Sequence, residues 1–351
     1  MRKLYAIQYL RALAAISVVM FHAGSQPLAR AGATVAPMTA IGAAGVDVFF
    51  VVSGLIMWLV TGAEPVRPAT FLAQRIIRIV PLYWAVTLGK AALGVVAPGF
   101  GEHAHVTLSH LVLSLLFIPH VSPADGQILP VLTPGWTLNY EMFFYLLFAA
   151  SLWLPAKARL AALSACLVGL VVAGRLLNPT GPMLSAYTNP LLLEFMLGLW
   201  IGALATWKVP IPAWAAVVSM AAGLVGFLAA AISGQSAPRV LVWGAPAALL
   251  VAGALFVEIR KGAPRARALT ALGDSSYSIY LIHGFFVIAV ARFVKHRMAL
   301  SAPQSVAIVL TAACLSILAG LLCFRLVEAP VTTMLRDRLR RWTLPKSAPT
   351  P

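Results

Sequence analysis

Residues 9–28 read Y-L-R-A-L-A-A-I-S-V-V-M-F-H-A-G-S-Q-P-L, an apolar run whose only basic side chains are Arg11 and His22. About 20 predominantly apolar residues make a helix long enough to cross a bilayer. Comparable runs recur near 43–62, 78–97, 136–155, 160–178, 189–207, 211–231, 240–259, 270–292 and 304–326. Of the 351 residues, 61% are apolar and only 10% charged, too few polar groups to cover a soluble domain of this length. The pattern predicts an all-α, polytopic membrane bundle of about ten transmembrane helices. Secreted, disordered and cytosolic globular chains are excluded. One further stretch, Leu108 to Ile118, is too short to cross unaided and is expected to be re-entrant or interfacial. If it spanned, everything downstream would invert.

The net charge of +16 arises from 26 Lys and Arg against 10 Asp and Glu. In a soluble chain that excess would suggest nucleic acid; in a membrane protein it reports topology, because basic residues collect in cytoplasmic loops. Placing both termini in the cytoplasm leaves only Arg30, Lys90, Arg175, Arg239, Arg292, Lys295 and Arg297 outside. The first span is not a cleavable signal peptide despite Ala29-Arg30-Ala31, since Arg11 and His22 interrupt its apolar core. Residues 1–335 are expected to form one membrane-embedded domain, followed by a short basic cytoplasmic tail, 336–351. Cys166, Cys314 and Cys323 lie in apolar runs without metal spacing, and their odd number argues against a disulfide framework. His103, His105 and His110 lack a second ligand set for zinc and are expected to be loop residues.

Ionisable side chains inside spans are costly and each needs a reason. Arg11 and His22 lie about three turns apart on one helix face, roughly 16 Å along the axis. A snorkelling arginine and a histidine bonded to a carbonyl would be the bland explanation. G-A-A-G-V-D-V-F-F-V-V-S-G, residues 42–54, places Asp47 at a depth similar to that of His22, among glycines that also permit close helix packing. In F-L-A-Q-R-I-I-R-I-V-P, Arg75 and Arg78 share a face at the inner surface, where phosphates or anionic lipid headgroups are suitable partners. W-T-L-N-Y-E-M-F-F-Y brings Trp136, Asn139 and Glu141 near the outer surface, and Glu194 falls at a comparable depth. Ser276, Tyr280 and His283 share one face of the ninth span. Two histidines and three carboxylates at one level suggest a polar chamber open to the outer side.

These segments resemble the acyltransferase-3 family, integral-membrane O-acyltransferases of bacterial surface polysaccharides. Arg11 and His22 match its R-x10-H motif, and G-V-D-V-F-F-V-V-S-G its second-span pattern. Arg75 and Arg78 match its R-x-x-R motif. W-T-L-N-Y-E-M-F-F-Y is similar to its W-S-L-x-x-E-x-x-F-Y segment, with Thr137 where serine is commoner. L-L-E-F-M-L-G, S-Y-S-I-Y-L-I-H and Glu328-Ala329-Pro330 complete the order, so the resemblance runs from about residue 5 to 330. The opening I-Q-Y-L-R-A resembles the exopolysaccharide (succinoglycan) acetyltransferase branch.

The resemblance implies an enzyme of the bacterial inner membrane. Its donor would be cytoplasmic acyl-CoA, usually acetyl-CoA, and its acceptor a hydroxyl of an extracytoplasmic or lipid-linked polysaccharide. Arg75, Arg78 and Arg11 would hold the donor phosphates. His22 would deprotonate the hydroxyl or carry the acyl group, oriented by Asp47 or Glu141, with His283 in the same chamber. Tyr280, Asn139 or Ser276 would donate to the oxyanion, and Trp136 and Glu194 would contact substrate. Neither a metal nor a permanently bound cofactor is expected. The competing class, a transporter or flippase for a lipid-linked glycan, would also hold polar residues at the midplane, but inverted repeats and paired Gly/Pro-broken spans are not evident. A membrane scaffold accounts for the topology and leaves the polar chamber unexplained.

Overall fold

The computed structural model describes residues 3–30, 37–62, 66–96, 106–233, 237–294 and 300–343. His103, His105, Lys295 and Arg297 lie outside them. The described residues form helices, turns and loops, with no strand among them. Helix α1 spans Tyr5–Arg30, a 3-10 segment follows at Pro37–Ala44, and α2 (Gly45–Gly62) returns. Then come α3 (Pro68–Val96), α4 (Leu108–Leu115), α5 (Gly135–Ser151), α6 (Ala156–Leu177), α7 (Pro182–Tyr187) and α8 (Leu192–Thr206). The rest is α9 (Ala213–Ser233), α10 (Ala245–Lys261), α11 (Arg267–Asp274), α12 (Ser276–Phe293), α13 (Ala302–Cys323) and α14 (Ala329–Thr343).

Nine of the described helical stretches are long and apolar enough to cross a membrane. The remaining expected span is α5, whose 17 residues reach about 26 Å and thus come close to the hydrocarbon thickness. It packs among α2, α3, α6 and α8, so neighbouring helices rather than lipid satisfy much of its surface. Helix α4 has 8 residues, about 12 Å, and cannot cross. Thr107 caps it by accepting from His110 N–H, and Tyr83 of α3 donates to the Ser114 carbonyl. The described part of the segment is therefore too short to be a span, as its length in the sequence implies. The span expected over 270–292 is divided: α11 is a short connector and α12 starts at Ser276. Beyond α13 the helix continues through a π turn, Phe324–Glu328, into α14. The expected boundary between residues 335 and 336 falls inside that helix.

Helix α2 is the most enclosed and packs along α8, where glycines meet backbone: a Cβ on Gly54 would strike the Phe195 carbonyl, and one on Gly198 the Val51 carbonyl. Phe195 also stacks on Phe144 and Phe50, centroids 4.5 and 4.7 Å away, forming an aromatic core between α2, α5 and α8. At one face of the bundle, Glu258 near the end of α10 accepts from the Tyr5 and Ala6 N–H groups at 2.9 and 2.7 Å. A carboxylate there satisfies orphan donors and complements the positive end of the α1 dipole.

Candidate functional site

Two cavities lie within the bundle, one toward each face. The first, about 420 Å³, is lined by Arg11, Arg75, Arg78, Glu141, Ser276 and Arg336 among others. The second, about 380 Å³, is lined by His22, His283, Trp136, Arg239, Lys90 and His110 among others. Val46 and Tyr280 line both, so they form the partition. The Tyr280 hydroxyl is tied to α5 through the Pro134 carbonyl at 3.1 Å and Thr137 Oγ1 at 3.0 Å.

Helix α1 serves both cavities. Arg11 donates to Ser276 Oγ at 2.9 Å and to Gln8 Oε1 at 3.3 Å in the arginine cavity. Three turns on, the His22 ring lies 5.1 Å from the His283 ring, centroid to centroid, tilted by 35°. His283 is 2% exposed. Its Nδ1 lies 2.6 Å from the Tyr280 carbonyl, which can only accept, so Nδ1 donates and the neutral ring keeps its lone pair on Nε2. The His22 ring makes no hydrogen bond among the described residues, and the residue lines the cavity.

The carboxylates expected to orient His22 do not reach it. Asp47, fully buried, is clasped by Arg239: Nε donates to Oδ1 at 3.0 Å and Nη2 to Oδ2 at 2.7 Å. Glu141 lies in the arginine cavity, where it accepts from Ser53 Oγ at 3.0 Å and from the Tyr145 hydroxyl. Depth along a helix leaves its azimuth open, and here the neighbouring helices turn Asp47 to Arg239 and Glu141 to Ser53 and Tyr145. Ser276, Tyr280 and His283 do share a face, but that face crosses the partition: Ser276 opens to one cavity and His283 to the other. Trp136 lines the histidine cavity, whereas Asn139 and Glu194 line neither. Glu194 is fully buried beside Asp47, with both carboxyl oxygens lacking a protein hydrogen bond, and Asn139 Oδ1 is likewise unpartnered.

The arginines of the first cavity differ among themselves. Arg78 donates to Glu328 at 2.8 Å, and Ser278 Oγ donates to the other oxygen of that carboxylate at 2.6 Å. One face of Arg78 is thus already committed. Arg75 stands over the Phe71 ring at 5.6 Å and has a buried Nε without a hydrogen-bond partner. Arg336, expected in a tail, reaches this cavity from α14. No group of three or more metal-ligating side chains occurs among the described residues.

Several of these residues escaped sequence reasoning. Arg239 was expected in an outer loop; the signal was available, because a buried intramembrane Asp47 demands a cation. Glu328 was visible only as a motif letter. His110 is not a loop residue: it is buried on α4, with Nδ1 2.7 Å from Nε2 of His120.

A helical bundle with polar cavities meeting at its centre defines a class of multi-pass membrane enzyme, and the sequence places it: the chain belongs to the acyltransferase-3 family. The family's acyltransferase domain matches residues 4–325, and the protein is an O-acyltransferase. It is 42% identical over 308 residues to "Exopolysaccharide production protein ExoZ" of Rhizobium meliloti (strain 1021), covering 86% of this chain and 93% of that one. It is also 26% identical over 388 aligned positions to "Acyltransferase MdmB" of Streptomyces mycarofaciens, covering 99% and 96% of the two chains. No solved structure matches the chain.

Proposed function

We propose that the protein moves an acetyl group from cytoplasmic acetyl-CoA to a hydroxyl of an exopolysaccharide or its lipid-linked precursor on the far side of the bacterial inner membrane. The observation that carries this reading is the pair of cavities separated by Val46 and Tyr280, one lined by four arginines and the other by three histidines, His22 and His283 among them. The arginine face also bears the basic α14 and the ends of α1 and α10, which suits the cytoplasmic side under the positive-inside rule. The name of the 42% identical relative supports a polysaccharide acceptor.

Donor phosphates are anchored by Arg75, Arg336 and the uncommitted side of Arg78, as guanidinium forks favour. The pantetheine arm then points toward the partition. On the far side, His22 takes the proton of the acceptor hydroxyl as its oxygen attacks the thioester carbonyl. The C–S bond breaks, and coenzyme A leaves as a thiolate that is protonated from the arginine-side water. In the covalent variant of this step the His22 nitrogen attacks first and the hydroxyl second, with the same balance. His283, locked by its Nδ1–H bond to the Tyr280 carbonyl, keeps Nε2 as an acceptor and packs its ring against that of His22. The Tyr280 hydroxyl, tied to Pro134 and Thr137, holds the partition in place between donor and histidines.

Oriented proteoliposomes test the reading. With acetyl-CoA trapped on the arginine face and acceptor glycan on the other, acetylated glycan is expected in the acceptor compartment. Transfer only when both substrates share a compartment would overturn the through-membrane arrangement. A labelled acetyl group retained on His22 without acceptor marks the covalent route.

A further inference from the structure

The Asp47–Arg239 pair is asymmetric. Its carboxylate side chain is completely sealed, whereas the Arg239 side chain keeps 34% of its surface and faces the histidine cavity. Nε and Nη2 are occupied by Asp47, and Nη2 also donates to the Ala43 carbonyl at 3.1 Å. Nη1 has no hydrogen-bond partner among the described residues. A π turn at Val240–Gly244 begins directly after Arg239 and packs Gly244 against Glu194, which fixes where the guanidinium emerges. A pair serving only to neutralise Asp47 would be enclosed with it. Here the carboxylate instead acts as a clamp that presents one pre-oriented, charged fork edge to the chamber. No carboxylate among the described residues lines this cavity.

Resting on the reading of that chamber as the acceptor site, we propose that Arg239 is its anion receptor, and that the glycan bound there carries a phosphate or carboxylate beside the reacting hydroxyl. Arg239 is a specificity residue in this scheme. It touches the acceptor and takes no part in proton transfer, and Asp47 acts on the acceptor only by holding Arg239. Because the fork is already immobilised, little side-chain freedom is lost when an anion arrives.

The test uses the full chain in nanodiscs and three probes, glucose 1-phosphate, methyl glucuronide and neutral methyl glucoside, with binding followed by calorimetry. At least one anionic probe should bind about tenfold or more tightly than the neutral one, as expected for a charge-assisted contact. Whichever anionic arm wins identifies the source as a phosphorylated glycan or an acidic sugar. Arg239→Gln alone would strand Asp47, so the decisive variant is Arg239→Gln with Asp47→Asn, which should lose the preference while still binding acetyl-CoA. Equal binding of all three probes, undetectable binding included, overturns the proposal. So does a preference that survives in the double variant. An Arg239-dependent preference in a protein that transfers no acetyl group would instead sink the proposed function and leave the anion site standing.

Discussion

His22 and the arginines carry predictions that separate chemistry from support. His22→Ala should lower acyl transfer by roughly 10²–10⁴-fold, the usual worth of a positioned base or more. Thermal stability should stay near wild type, because the His22 ring makes no hydrogen bond among the described residues. Unfolding in step with lost activity would return His22 to a packing role. Arg75 and Arg78, indistinguishable as R-x-x-R, should now behave differently. Arg75→Ala is expected to raise KM for acetyl-CoA several-fold in a protein of normal stability, since its Nε has no internal partner. Arg78→Ala strands Glu328, which is 2% exposed, and should cost stability as well, at or below the low end of the about 3–5 kcal/mol seen when one partner of a buried pair is removed. Arg78→Ala combined with Glu328→Gln should restore the melting temperature but not the donor affinity. Equal stability of both single variants would refute this division. Sequence could show that all three arginines sit at one membrane surface, but not which one was already spoken for by a residue 250 positions away.

Among elements, the α2–α8 crossing and the two π turns determine how the site is assembled. Gly198 and Gly202 stand four apart on α8, a small-residue spacing that sequence does display and that lets backbones approach. Opposite them, Gly54 completes the contact against the Phe195 carbonyl. Gly198→Val should cost about 1–3 kcal/mol or more through overpacking, read as a lower melting temperature in detergent. Because a backbone carbonyl cannot step aside, no rotamer change relieves it. An unchanged melting temperature would mean that the helices are not in this contact. The π turns have no comparable signature. One begins just after Arg239, and the other carries Glu328 onto Arg78 and Ser278. Deleting Leu326 would remove the extra residue and close the turn into regular α-helix, displacing Glu328, which lies within that turn. Glu328 would then leave its partners, with loss of donor affinity expected; retention would show that α14 adapts independently. The register of a helix follows from apolar period, whereas a single inserted residue is settled by which buried charges must meet.

For the molecule as a whole, orientation is the property on which the proposed transfer across the membrane rests. In a background with Cys166→Ser, Cys314→Ser and Cys323→Ser, Asp337→Cys on α14 should react with a membrane-impermeant maleimide only from the cytoplasmic side. Gln127→Cys, exposed in the loop whose Ser122 and Leu129 line the histidine cavity, should react only from outside. Reaction of both from one side would contradict the arrangement of cavities on opposite faces. Much of the architecture is legible in the chain alone: apolar period and length dictate helices and their number, because lipid tolerates no unpaired backbone. The shortness of 108–118 kept it from crossing, and basic residues group by face through the cost of moving charge across a bilayer. The polar residues in the spans could also be named, since each one in lipid requires a partner. What one dimension cannot contain is who that partner is. Asp47 and Glu141 had depths resembling that of His22, yet packing gave one to Arg239 and the other to Tyr145 and Ser53, leaving His22 beside His283. Depth along a helix is set by local rise, but azimuth and neighbour are set by how close α2 and α8 can pack and where α10 and α13 take an extra residue. Those are pairwise fits between distant segments, and only the folded bundle decides them.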